Sequence, residues 1–181
     1  MLKKKEKKRG DRRINQRQNN RLERIKEKIL FFNKEYIIVV VILIFAFILR
    51  LIYISQLKAN DPNFLHLEGN DQGSYDSAAR QILEGTFPKE PYYYNPGYYY
   101  FLALIYLVFG HNFDTAINVQ FVIGLCTYFL TYLIAKQIFN KTVGFIAISL
   151  CALYGVFIIY EGLFLSAVLE TFLLLMVLIP I

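Results

Sequence analysis

Four long apolar stretches separated by short polar ones run along this chain of 181 residues, and their lengths predict an all-α polytopic membrane protein. Residues 36–54 hold one charged side chain in 19, and at ~1.5 Å per residue such a helix crosses a ~30 Å hydrocarbon core. Residues 115–139 and 142–160 read as second and third spans joined by a tight turn at Asn140 and Lys141. Residues 162–181 read as a fourth, interrupted by Glu170. The run ends at Pro180 and Ile181 with no polar tail, so more spans are expected after it. The first apolar segment starts too late and runs too long for a cleavable signal, and is expected to stay as an anchor.

Shorter elements fill the intervals. Residues 1–20 are charged and lack apolar side chains able to offset the entropy of ordering, which predicts a disordered tail. Over residues 21–34, Leu22, Ile25, Ile29 and Phe32 recur at helical spacing between charges, the pattern of an amphipathic helix lying in the headgroup layer. Residues 55–114 form a loop with two helices, at about 72–84 and 96–109. In the first, Tyr75, Ala79 and Ile82 or Leu83 make an apolar face while Asp76, Arg80 and Glu84 point away; Asp71 is placed to cap it and Gly85 to stop it. Before the second comes PYYYNPGYYYF, with six tyrosines in residues 92–100 suited to the headgroup level. Asn95 and Pro96 read as N-cap and first helical residue, and Gly110 as the stop. Fourteen residues give about 21 Å, short of the core, so this helix is read as juxtamembrane.

Charge then orients the chain. Hydrophobic residues make up 56% and aromatic residues 17%, too apolar for an ordinary soluble domain. Of the 20 Lys and Arg residues, 14 lie in the first 34 positions against four acids, so the net charge of +6 is local to the N-terminus. A basic run before a long apolar segment sets topology and meets anionic headgroups, in preference to nucleic acid. The N-terminus is therefore expected in the cytoplasm. With the 96–109 helix not crossing, Lys136 and Lys141 also fall inside, and the 55–114 loop and Glu161 fall outside. The Asn140-Lys141-Thr142 sequon is then cytoplasmic, and Cys126 and Cys151 sit in apolar segments as small hydrophobes.

Few residues carry chemistry. Asp71 and Glu161 are acids at the outer ends of elements; Asp71 is suited in position to accept a proton from an attacking hydroxyl or to cap its helix, while Glu161 by itself reads as the wet end of a span. Glu170 lies deeper, where an ionisable group faces protein or water, and pairing with another helix is as good a reading as catalysis. Arg50, near the outer end of the first span, either snorkels to the headgroups or meets a lipid phosphate. No Ser-His-Asp set, Cys or His metal cluster or glycine-rich phosphate loop can be assembled, and His66 and His111 read as exposed loop residues.

Taken in order, one span, the pattern of Asp71, Tyr75 and Ala79 with Gly85 after it, NPGYYYFLALIYLVFG, two spans around a basic turn, and YEGLFLSAVLETFLLL resemble the N-terminal third of bacterial members of glycosyltransferase family 39. These are GT-C-fold relatives of protein O-mannosyltransferases and of the transferases that place aminoarabinose on lipid A. The resemblance implies a GT-C-like module of four transmembrane helices with outer juxtamembrane helices. It implies transfer of a sugar, with inversion, from a polyprenyl phosphate to a lipid, protein or glycan acceptor outside a bacterial plasma membrane. Asp71 matches the acid of the first outer loop, and Tyr160 and Glu161 match a second recurring position. Other members place that acid after a Leu-Ser pair, where this chain has Ala167. The expected site is thus Asp71 and Glu161 as catalytic carboxylates, with Arg50 and Tyr75 binding substrate and a divalent metal only if one is used. The rival readings are a transporter or flippase subunit, with Arg50 and Glu170 as pathway charges, and a non-catalytic anchor.

Overall fold

A computed structural model of the chain describes residues 34–61, 64, 70–86 and 94–179. The expected tail at 1–20, the amphipathic helix at 21–34 up to Lys34, and His66 lie outside the described residues. Two compact units divide the chain, Met1–Val40 and Val41–Ile181. The described part of the first is the opening of a long helix, and every contact below lies within the second.

Among the described residues the elements are all helical: α1 (Lys34–Asn60), α2 (Asp71–Leu83), α3 (Pro96–Phe109), α4 (Phe113–Ile138), α5 (Lys141–Leu153), α6 (Gly155–Glu161) and α7 (Ala167–Leu178). Helices α1, of 27 residues, and α4, of 26, are long and apolar enough to cross a membrane. Helices α5 and α6 make a third span only if taken together, since they meet at a bend of 57°. The expected four continuous spans are corrected at two places. At Tyr154 the backbone swings to ψ 107°, which ends α5 and starts α6. After Glu161 the chain stays non-helical until α7 opens at Ala167, whose 12 residues reach about 18 Å.

Contacts along α1 and α4 set their direction. Lys58 near the end of α1 pairs with Asp114 at the start of α4, and Arg50 further back along α1 bonds Tyr128 further along α4. The two helices therefore run antiparallel, with the α2 and α3 segment joining their neighbouring ends. Asn140 makes the next turn by accepting a bond from the Val143 amide at 3.0 Å, which caps α5. Helices α4 and α5 then pack closely, because a side chain at Gly144 would place its Cβ 3.1 Å from the Tyr132 ring.

Among the described residues, helices α2 and α3 supply nine of the 15 buried residues of the main apolar cluster. Tyr75, Ala78 and Ala79 are buried on α2, and the two alanines let it approach Tyr98, Tyr99 and Leu102 of α3. Helix α3 has the bounds its sequence predicts, with Asn95 at the N-cap, Pro96 in the first turn and Gly110 at a φ of 79° after its end. Its last turn leaves Leu107, Val108 and Phe109 60% or more exposed, apolar surface of a kind that lipid covers.

Candidate active site

The head of α2 carries Asp71, though not as the cap. Asn70 takes that position, with extended φ and ψ of −119° and 171°, and its side chain accepts from the Gly73 amide at 2.9 Å. Asp71 is instead the first helical residue, where its charge meets the positive end of the helix dipole. It is exposed, and its Oδ1 accepts a hydrogen bond from the Tyr94 hydroxyl at 2.6 Å. Among the described residues its second oxygen has no hydrogen-bond partner. Tyr75, expected to bind substrate, is only 4% exposed. Its ring packs on Tyr94 at 5.4 Å, edge-on to Tyr98 at 4.7 Å, and on Tyr99 at 5.3 Å, so it supports Tyr94 from beneath.

Two further contacts bring other helix starts to this place. Gln72, beside Asp71, accepts from the Phe164 amide at 3.0 Å in the loop before α7. Asn95, beside Tyr94, donates to the carboxylate of Glu170 in the first turn of α7. The starts of α2, α3 and α7 thus gather around the Tyr94-Asn95 segment. Glu170 is an exposed residue in the first turn of α7.

Arg50 and Glu161 come together elsewhere. Arg50 is fully buried, so it does not snorkel. Its Nε donates to Glu161 Oε2 at 2.7 Å, Nη1 donates to the Ala46 and Ala152 carbonyls at 2.9 and 3.1 Å, and Nη2 donates to the Tyr128 hydroxyl. Four of its five N–H groups are thereby engaged by the protein. The Ala152 carbonyl is one that the break at Tyr154 leaves without a helical partner, so the arginine closes off the end of α5. Tyr128 in turn donates to Glu161 Oε1 and lies under the guanidinium, 4.9 Å from its ring centre. Glu161, 4% exposed, faces this pair and not Asp71. The link to the α2 side runs through Gln120, which accepts from Tyr98 and donates to the Glu161 and Leu163 carbonyls at 3.1 and 2.9 Å.

Asp76 also departs from expectation. It is 4% exposed and accepts from Tyr106 at 2.7 Å and Arg80 at 3.1 Å, with His111 Nε2 at 2.8 Å. Burial first, and then the bond to Asp76, push the Tyr106 hydroxyl's pKa well up, which keeps it a donor. His111, an exposed loop residue as read, is also a partner in fastening α2 to the corner between α3 and α4.

A cavity of about 230 Å³ lies between α4, α6 and α7, with Gly124, Tyr128, Phe157, Tyr160, Glu161 and Val168 among its walls. Its two threonines, Thr127 and Thr171, spend their hydroxyls on the carbonyls one turn back, at 2.9 and 2.7 Å. Among the described residues no three His, Cys, Asp or Glu side chains converge as a metal site would require, and both Glu161 oxygens are engaged.

No curated protein and no solved structure matches this chain. The profile of the dolichyl-phosphate-mannose-protein mannosyltransferase family does match, over residues 89–181, from just before the tyrosine run to the end of the sequence. An apolar chain with long membrane-crossing helices and this match belongs to the dolichyl-phosphate-mannose-protein mannosyltransferase family of membrane glycosyltransferases.

Proposed function

We propose that the protein transfers a sugar from a polyprenyl-phosphate donor to a hydroxyl-bearing acceptor on the outer face of the membrane, with Asp71 as the general base. The carrying observation is the Asp71 carboxylate at the head of α2, exposed, with one oxygen held by Tyr94 and the other without a hydrogen-bond partner among the described residues. The acceptor oxygen attacks the anomeric carbon as the bond from that carbon to the phosphate oxygen breaks, the phosphate leaving with the electron pair. The acceptor's proton passes to Asp71. One displacement inverts the anomeric centre. Family membership supports a lipid-linked donor.

Orientation rests on two supports. The basic turn at Lys136 and Lys141 favours the cytoplasm, as does the N-terminal basic run. The antiparallel course of α1 and α4 favours α2 and α3 lying on one side of the membrane, since a crossing α3 would reverse α4. Glu161 and Arg50 serve this reading as a buried pair that fixes the bent span next to the loop gripping Gln72.

The test is Asp71→Asn. Asparagine keeps an acceptor for Tyr94 and leaves the Asn70 cap untouched, so folding should persist with a loss of ~0.3–1 kcal/mol from the helix dipole. Membranes carrying the variant are expected to lose at least about a hundredfold in transfer from a radiolabelled polyprenyl-phosphate sugar. Transfer at the parent rate would remove Asp71 from the mechanism.

A further inference from the structure

We infer that Tyr94 and the Asn95–Glu170 pair are positioning groups for Asp71: Tyr94 orients the carboxylate, and Glu170 holds in place the segment that carries Tyr94. This inference rests on the base role proposed for Asp71.

The chain of contacts is short. Tyr94 donates to Asp71 Oδ1 at 2.6 Å, which leaves the other oxygen to face an acceptor. Its ring is seated on the buried Tyr75, which restricts the arc the hydroxyl can sweep. The backbone at Asn95 is held by a bond that costs the helix something. Asparagine at an N-cap ordinarily turns its side-chain oxygen onto an amide of the first turn. Asn95 occupies the N-cap of α3 and makes no such bond; its side chain reaches across to Glu170 at the head of α7. A local capping bond has been exchanged for a bond between two elements 75 residues apart. Gln72 in the first turn of α2 accepts from the Phe164 amide in the loop before α7, so the start of α7 is tied to α2 as well as to α3.

The carboxylate of Glu170 acts in this scheme as an acceptor for Asn95 and touches no reacting atom. A neutral acceptor of the same shape therefore serves as well, which separates positioning from charge.

The test measures sugar transfer from a radiolabelled polyprenyl-phosphate sugar by the parent and by Tyr94→Phe, Glu170→Gln, Glu170→Ala, Asn95→Ala and Asp71→Asn, each in native membranes. Tyr94→Phe keeps the ring on Tyr75, so its expected result is a fall in kcat of about tenfold or more with KM for the donor within about twofold. Glu170→Ala and Asn95→Ala are each expected to lower kcat similarly, their combination to add nothing further, and Glu170→Gln to restore the parent rate within about twofold. Thermal melting in detergent reads folding separately, and only kcat differences between variants of equal melting temperature count. Parent kcat in Tyr94→Phe, or a Glu170→Gln variant as impaired as Glu170→Ala, overturns the inference. Asp71→Asn separates the two ideas: if it is inactive while Tyr94→Phe is normal, only the positioning fails, and if it is active the base role fails with it.

Discussion

Arg50 shows how much one fully buried side chain can do. Its guanidinium neutralises Glu161, meets the hydroxyl of Tyr128 and fills a carbonyl freed by the break after α5. Removing one partner of a buried pair leaves the other uncompensated, so Glu161→Ala should cost ~3–5 kcal/mol, while replacing both by apolar residues of similar volume should cost much less. Thermal unfolding in detergent of the single and double variants checks this. Gly124 belongs to the same site, since a Cβ there would stand 2.5 Å from Glu161 Oε1. Gly124→Ala should therefore displace the carboxylate at ~1–3 kcal/mol, whereas Gly155→Ala, with nothing within 4 Å, should leave the packing undisturbed. The sequence made both charges conspicuous, Arg50 inside the first apolar segment and Glu161 between the third and the fourth. Their pairing was not legible, because 111 residues separate them and only the bend of α5 and α6 brings them together. Tyr94 was hidden for a different reason: one tyrosine among six at a membrane surface has a sufficient explanation in its ring alone.

Elements were legible where punctuation was strong and blurred where it was not. Asn95, Pro96 and Gly110 bound α3, and the Asn140 cap bounds the hairpin of α4 and α5. Between Lys141 and Glu161 no proline marks the break, and Tyr154 departs from helical geometry inside an unbroken apolar run, so periodicity alone returns one straight span. Asp76 was assigned to the outer face of α2 from its place beside Tyr75. The helix in fact buries a wider arc, because α3 covers one flank and the corner leading into α4 covers the next. That arc predicts a local effect. Asp76→Ala leaves Tyr106 without its acceptor and should destabilise the attachment of α2 by ~1–3 kcal/mol, seen as faster hydrogen exchange at α2 amides with α4 unchanged.

For the whole molecule, cysteine labelling tests which ends of the spans face out. In a background with Cys126 and Cys151 replaced by alanine, a cysteine at Asn112 should react with an impermeant thiol reagent applied outside, and one at Asn140 should not. Labelling at Asn140 would reverse the orientation proposed here. Direction also bears on how the chain is made. Arg50 leaves the ribosome with α1, but the carboxylate that neutralises it is 111 residues further on. Until α6 emerges, the first helix must enter the bilayer with a lone guanidinium, at a cost below the ~2.5–3.5 kcal/mol of a charge at a helix centre, because Arg50 lies toward the outer end of the span. The apolar remainder of α1, with Val41, Ile44, Phe45 and Ile48 presented outward, offsets that cost, so the helix is recruited before it is satisfied. Closure of the pair is then a late event in synthesis, set by the 111 residues between its partners.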